Sequence, residues 1–384
     1  MDVRSAMRVP KYRWILWAAT AAAAVFFVLQ MGFLSRGQAG TAARGFELLD
    51  TLISHIRNDY LEERDPVATA EGTYRGLVNS LDPLSAYLPK DLVAAYKART
   101  GREAEPGLVV LKRYASFPQV VAVVEKSPAE AAGIKPGDVL SAVGGRSTLS
   151  MSLTEVKLRL RGTDGQPIDL RVLEGNDSKN LKVPCAALQP APFTFTRAAG
   201  QPARLRIHRF DADLVAALKR DVVPALMGRK EPLVLDLRDC QDGAVEEAAK
   251  LVNLFVQAAD AGWFEGRGGV KEPVSCPAAA ELGTVPVVVW TGPGTAGPAE
   301  LAAGLLRELR KVKILGYKTA GLVGRTALFP LKDDSAVVLT SGIYALPSGR
   351  KLWDDGLDPD ESIPADKLNE KTFLERTLPL LPKR

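Results

Sequence analysis

The sequence predicts an α/β core built on a mostly parallel sheet with crossover helices. A β-rich domain, an N-terminal helical segment and one transmembrane helix are predicted to precede it. Three observations carry this. Buried-type strands alternate with amphipathic helices after residue 190. Short β-rich runs separated by Gly and Pro turns fill 105–187. A 21-residue apolar run, Trp14 to Leu34, stands near the start.

That run is broken only by Thr20, Gln30 and Gly32. At 1.5 Å per residue it suffices to cross a hydrocarbon core of about 30 Å. Arg4, Arg8, Lys11 and Arg13 precede it, and a positive flank stays cytoplasmic, so the expected placement is a single-pass inner-membrane anchor with the bulk of the protein extracytoplasmic (periplasmic). Signal-peptidase cleavage near Gln38-Ala39-Gly40 is the competing reading. It runs against the length, since a secretory apolar region is only about 7–15 residues.

A chain of 384 residues has room for two or three domains. The net charge of +5 is small for that length, and Lys and Arg are interleaved with acids, so no nucleic-acid partner is expected. Three cysteines, Cys185, Cys240 and Cys276, and two histidines, His55 and His208, show no metal-ligand spacing. No metal or other cofactor is expected.

Residues 37–104 read as helical. Phe46, Leu49, Leu52, Ile53 and Ile56 recur at helical spacing, as do Val93 and Tyr96. Between them, Pro83 breaks the helix in Leu81-Asp82-Pro83-Leu84-Ser85-Ala86-Tyr87-Leu88, and Asp82 caps the segment after it. In 105–187, Gly107–Leu111 and Val120–Val124 are strand candidates. Ser127 caps a one-turn helix that Gly133 ends, Pro136-Gly137-Asp138 turns into a new strand, and Ser152 or Thr154 starts another helix.

After Gln189-Pro190-Ala191-Pro192, strands are expected at Arg204–Phe210, Leu233–Leu237, Val285–Trp290 and from Ile314. Helices are expected at Asp213–Met227, Ala244–Gln257 and Pro298–Leu309, with added edge strands at Ala336–Thr340 and Ile343-Tyr344. The acidic stretch Trp353–Glu361 lacks the oxygen spacing of a calcium loop and reads as a solvated turn.

The order Ser127-Pro128-Ala129…Ala132-Gly133…Gly137-Asp138 resembles a PDZ domain. Such domains bind the C-terminus of another polypeptide as an added strand, with backbone amides holding its carboxylate. The resemblance places that loop at Gly107, Leu108, Val109 and Val110, where Val109 replaces a second glycine usual in bacterial protease relatives. With the Leu-Asp-Pro-x-Ser-x-Tyr-Leu segment and Leu235-Asp236-Leu237-Arg238-Asp239-Cys240-Gln241-Asp242-Gly243, the whole resembles a C-terminal processing (tail-specific) serine peptidase, family S41. Leu339-Thr340…Tyr344…Pro347-Ser348-Gly349 and Gly356–Asp360 resemble its closing segments.

That family uses a serine nucleophile, a lysine base and a glutamine that orients the lysine. The resemblance puts the serine position at Gly297, three residues before Glu300. It puts the lysine position at Leu322, after Thr319-Ala320-Gly321, and the glutamine position at Thr326. No serine lies between Ser275 and Ser335 to restore the first. Asp242 replaces the first glycine of a Gly-Gly pair near the oxyanion region. Substitute pairs are Thr295 with Lys318, and Cys240 with His208, provided each brings nucleophile and base within hydrogen-bond reach. Glu300 reads as charge complementarity at a helix start.

The expected organisation is a cytoplasmic tip and anchor (1–36), a helical segment (37–104), a PDZ domain (105–187) and a tail-specific-protease-like core (188–384). The expected function is a pseudopeptidase that binds protein C-terminal tails without cleaving them. Its expected partners are those tails, an active protease relative, and the membrane through the N-terminal helix. The rivals are an endopeptidase with a relocated nucleophile and a structural envelope protein.

Overall fold

The computed structural model describes residues 47–62, 65–100, 103–175, 177–188, 191–229 and 231–381. Of these, residues up to Gly72 belong to one compact unit and those from Thr73 onward to another. In the first, Leu49, Leu52, Ile53 and Ile56 lie on a helix over 47–59, and Phe46 falls outside the described residues.

In the second unit Asp82 organises the turn the sequence marks. Its Oδ1 accepts from Leu84 N (2.8 Å) and Ser85 N (2.7 Å), and its Oδ2 from Ser85 Oγ (2.7 Å). Thr340 Oγ1 donates to the same carboxylate at 2.9 Å, which ties the turn to a strand 258 residues away. The turn leads into strand Ala86–Leu88, where Tyr87 is buried, and then helix Lys90–Ala98.

Residues 108–184 form an antiparallel sheet in the order Leu108–Leu111, Gln119–Val123, Val139–Val143, Pro167–Glu174, Asp177–Pro184. Helix Leu153–Arg159 seals it, with Val156 fully buried against Val110, Val120, Leu140 and Leu170. Both expected caps form: Ser127 Oγ accepts from Glu130 N (3.2 Å) and Ser152 Oγ from Glu155 N (3.0 Å). Strand Leu108–Leu111 is left at the sheet edge.

The core sheet has six strands in the order Glu361–Ser362, Lys313–Gly316, Val287–Thr291, Leu233–Asp236, Ala203–Ile207, Phe193–Thr196. All neighbours are parallel except the last pair. The central strands are continuous apolar runs, as burial on both faces demands. Helices Val245–Val252 and Pro298–Arg310 pack on it and on each other.

The expected fold class needs correction. The molecule is a mixed α/β fold with several antiparallel sheets, and the parallel sheet is only one of them. Besides the sheet of 108–184, strands Ala86–Leu88, Trp263–Gly266, Lys271–Pro273, Gly324–Pro330 and Ala336–Ala345 form a second antiparallel sheet. Short connections such as 267–270 and 331–335 cannot cross over a sheet, so they reverse the backbone instead. Ala336–Ala345 is one strand with three neighbours and not a pair of added edges. Helix Asp213–Met227 is two pieces, Leu214–Asp221 and Val223–Leu226, because Pro224 cannot donate within a continuous helix.

The transmembrane helix is corrected as well. Among the described residues no helix is long and apolar enough to cross a membrane, and the run Trp14–Leu34 lies outside them. The single-pass inner-membrane placement and the periplasmic location inferred from that run are therefore not supported.

Asp82 makes a direct stability prediction. Asp82→Ala orphans the donors gathered on its carboxylate and should lower unfolding free energy by about 2 kcal/mol, with Thr340→Val costing about 1 kcal/mol. Urea unfolding of both variants checks this; an unchanged midpoint for Asp82→Ala would contradict the anchoring role.

Candidate functional site

The site lies where strand Val287–Thr291 turns into helix Pro298–Arg310. Thr295, fully buried, folds the turn: its N–H donates to Gly292 O (3.0 Å), and its hydroxyl accepts from Gly292 N and donates to Leu237 O, both at 2.9 Å. Gly297 stands two residues on, at φ 57°, ψ −117°. This is a sharp strand-to-helix elbow of the kind that presents a nucleophile, in a conformation costly to any residue but glycine. A Cβ at 297 would meet only Leu322 O at 3.7 Å and Gln241 O at 3.9 Å, so a side chain has room. Pro298, directly after it, has no N–H to offer an oxyanion.

Glu300, one helical turn on and fully buried, holds the elbow. Its carboxylate accepts from Gly297 N (3.0 Å), Leu322 N (2.8 Å), Gly321 N (2.7 Å) and the Thr319 hydroxyl. Burial pushes its pKa up, and these four donors pull it only partly back. Thr319 Oγ1 in turn accepts from Leu357 N at 2.8 Å, and Ala320 N donates to Thr295 O at 3.1 Å. Glu300 thus brings Gly297 and Leu322 together.

Leu322 is half-buried and packs against the apolar cluster of the 108–184 sheet. Thr326 sits on strand Gly324–Pro330 opposite Thr340, beside a register shift at Arg325/Thr326.

Neither substitute pair is assembled. The Thr295 hydroxyl is committed to backbone, and Lys318 Nζ reaches Asp358 Oδ1 (3.6 Å) with its side chain 51% exposed. The Cys240 thiol contacts His208 O at 3.4 Å, and burial pushes its pKa far above the usual thiol range. The His208 ring bonds Thr194 Oγ1 at 2.8 Å; burial, then the Arg206 charge, lowers its pKa to about 4.

Of the predicted tail-binding residues, Val109 faces the core, while Leu108 and Val110 pack in the apolar cluster of their own sheet. Gly107 has φ +92°, and a Cβ there would stand 2.7 Å from Ser127 Oγ, so glycine is required. Leu108, Val109 and Val110 are buried, and Gly294 leaves the space that Val109 Cγ1 fills. A cavity of about 60 Å³ remains, lined by Leu108, Val109, Lys157, Leu160, Arg161 and Asp242 among others. Lys157 Nζ lies 3.5 Å from Asp242 Oδ1, and Arg161 Nη2 3.7 Å from Oδ2. Burial raises the Asp242 pKa, but Lys157 and Arg161 outweigh it and hold the carboxyl below its ordinary range. Burial and then the Asp242 charge push neighbouring Glu105 up to about 7.

Under the elbow, Asp236 is fully buried and accepts from Arg238 Nε (2.9 Å) and Nη2 (2.7 Å), while that guanidinium lies 4.8 Å from the Trp290 ring and 4.4 Å from Phe373. Among the described residues no cluster of His, Cys, Asp and Glu is arranged for a metal.

The sequence reading missed Pro298, Lys157, Arg161 and the reach of Glu300. Pro298 was legible, since proline beside an elbow always removes a donor. Lys157 lies on helix Leu153–Arg159 and Arg161 just past its end, and neither position reveals a partner in the sequence.

An α/β scaffold with a strand-to-helix elbow, faced by a small antiparallel domain, defines a peptidase-type molecule fitted with a peptide-binding module. Residues 203–363 match peptidase family S41, and 119–174 match a PDZ domain. The "Probable CtpA-like serine protease" of Staphylococcus aureus (strain N315) is 26% identical over 389 residues, covering 98% of this chain and 78% of its own length. Its namesake from Staphylococcus haemolyticus (strain JCSC1435) is 27% identical over 314 residues, covering 80% of this chain and 62% of its own. Among solved structures, the photosystem II D1 C-terminal processing protease shares the fold at a TM-score of 0.66 and 22% identity, covering 84% of this chain and 88% of its own. This chain belongs to the C-terminal processing peptidases of family S41.

Glu300→Gln replaces one carboxylate oxygen by an NH₂ facing donors. It should cost about 3 kcal/mol in denaturant unfolding, against under about 0.5 kcal/mol for exposed Glu375→Gln. Equal midpoints would remove Glu300 as the elbow's anchor.

Proposed function

We propose that this chain binds protein C-terminal tails and does not cleave them. The PDZ and peptidase domains fit binding of such tails. The observation that carries the rest is the elbow itself: Gly297 in a nucleophile's backbone conformation, with Pro298 directly after it. Acyl transfer needs an attacking group, a base and preorganised N–H donors at the oxyanion. Gly297 has nothing to attack with, Leu322 takes no proton, Thr326 has no base to orient, and Pro298 withholds the amide of the next residue. The substitute pairs are committed to other partners. We also propose 105–187 as the tail-binding domain and 188–384 as a core that retains the peptidase shape. An active relative whose substrates share these tails is the proposed further partner.

The staphylococcal relatives are named as probable serine proteases, so activity is the outcome to test. The purified protein should not degrade an unstructured protein with an apolar C-terminus, and turnover abolished by Thr295→Ala or Cys240→Ala would overturn the proposal. Gly297→Ser, Leu322→Lys and Thr326→Gln together should restore little. Adding Pro298→Ala should raise turnover by about 10²–10³, the worth of one oxyanion donor. Equal rates with and without Pro298→Ala would show that this amide plays no part.

Tail binding is tested separately with free-acid and amidated peptides by fluorescence anisotropy. Free acids should bind more tightly. Affinity no weaker for the amides would count against the PDZ role.

A further inference from the structure

The groove between edge strand Leu108–Leu111 and helix Leu153–Arg159 ends at a charged cluster. A tail added to that edge strand brings its carboxylate to the strand's start, beside Gly107 and Leu108. The far end of the helix supplies Lys157 and, just past it, Arg161, and both line the same cavity as Leu108 and Val109. These cations are already engaged. Asp242, from the core segment after strand Leu233–Asp236, lies within ion-pair distance of each. Glycine stands at this position in the family pattern, so that pattern supplies no carboxylate here.

The cavity has room for a few water molecules and not for a tail residue, at about 10–15 Å³ per water. The core therefore covers the groove end, with Val109 seated on Gly294. Both Asp242 separations are 3.5 Å or more and its side chain is 42% exposed, so the contact is weak enough to be displaced. Two further donors are ready for an acceptor: Arg206 Nε and Gln241 Nε2 are buried without a partner, and both residues line this cavity.

We infer that Asp242 is a built-in stand-in for a tail carboxylate, and that an arriving tail exchanges with it for Lys157 and Arg161. The inference rests on the tail-binding reading and deepens it. The helix cations become part of the tail site, and the core segment 241–242 becomes an internal competitor. Affinity for a tail is then the difference between two carboxylates at one pair of cations. An amidated tail, having no charge to offer, cannot exchange.

The test uses the full-length protein and two labelled peptides with the same apolar C-terminal residue, one a free acid and one an amide. Asp242→Asn should tighten the free acid roughly three- to tenfold, the range expected from releasing two part-exposed ion pairs, and change the amide by less than about twofold. Asp242→Glu, which keeps the charge, should bind like the wild type. Lys157→Gln with Arg161→Gln should weaken the free acid and erase its advantage over the amide. If the free acid binds wild type and Asp242→Asn equally, the exchange is refuted and tail binding stands. If Asp242→Asn tightens acid and amide alike, the core segment is only a steric cover and the exchange is again refuted. If neither peptide binds any of these proteins, the tail-binding reading itself fails. Circular dichroism melts of each variant separate loss of binding from loss of fold.

Discussion

A buried carboxylate, Glu300, fastens two segments that share one backbone hydrogen bond, from Ala320 N to Thr295 O. One is the turn at Gly297; the other is the loop 319–322 after strand Lys313–Gly316. Burying a carboxylate is expensive, and this one is tolerable because four donors converge on it. Those donors are backbone amides of three residues and one threonine hydroxyl, so they do not depend on side-chain chemistry at 297 or 322. The arrangement therefore needs no particular side chain at 297 or 322, and it stands with glycine and leucine there. Retention of an elbow is a statement about Glu300, and it carries no information about whether a bond is broken beside it.

Scaffold and chemistry thus separate in physical terms. The parallel sheet delivers its strand ends to one side, and the elbow, Arg238 and Asp239 gather there because the loops after parallel strands must. What the site does then depends on which atoms those loops expose. Here they expose a glycine with open space for a Cβ, a proline with no amide hydrogen and a leucine turned toward the neighbouring domain. Membership of a peptidase family and a glycine at the elbow are compatible, because fold and site are fixed by different residues.

Much of this was legible in the sequence where local chemistry decides the outcome. Ser127 and Ser152 cap helices because a hydroxyl before a helix has a backbone donor within reach whatever surrounds it. Strands Leu233–Asp236 and Val287–Thr291 were legible because only a fully buried strand tolerates such runs. Gly297 was legible through its distance from Glu300. The second antiparallel sheet was not, since Ala336–Ala345 acquires its neighbours from residues as distant as Ala86. Glu300 was underread for the same reason: a glutamate at a helix start satisfies a local rule, and the donors from 319–322 belong to another strand's loop. Lys157 and Arg161 show the limit most plainly. Their places at and just past the end of one helix are local, but Asp242 reaches them only through the packing of one domain on another.

That packing gives Asp242 a meaning beyond a lost glycine. At a working elbow the transition state places negative charge on an oxygen between backbone donors. A fixed carboxylate one residue along from Gln241, whose carbonyl flanks position 297, would repel it. That repulsion is tempered by Lys157 and Arg161, which lie 3.5 and 3.7 Å from the Asp242 oxygens. On the proposed function, in which tails are held and not cleaved, that repulsion carries no cost. Asp242 instead pairs with Lys157 on the facing helix and with Arg161 just past its end. On this reading Gly297 and Asp242 belong to one change. On the proposed function this side of the cleft supplies an internal ligand, and Lys157 and Arg161 serve the tail.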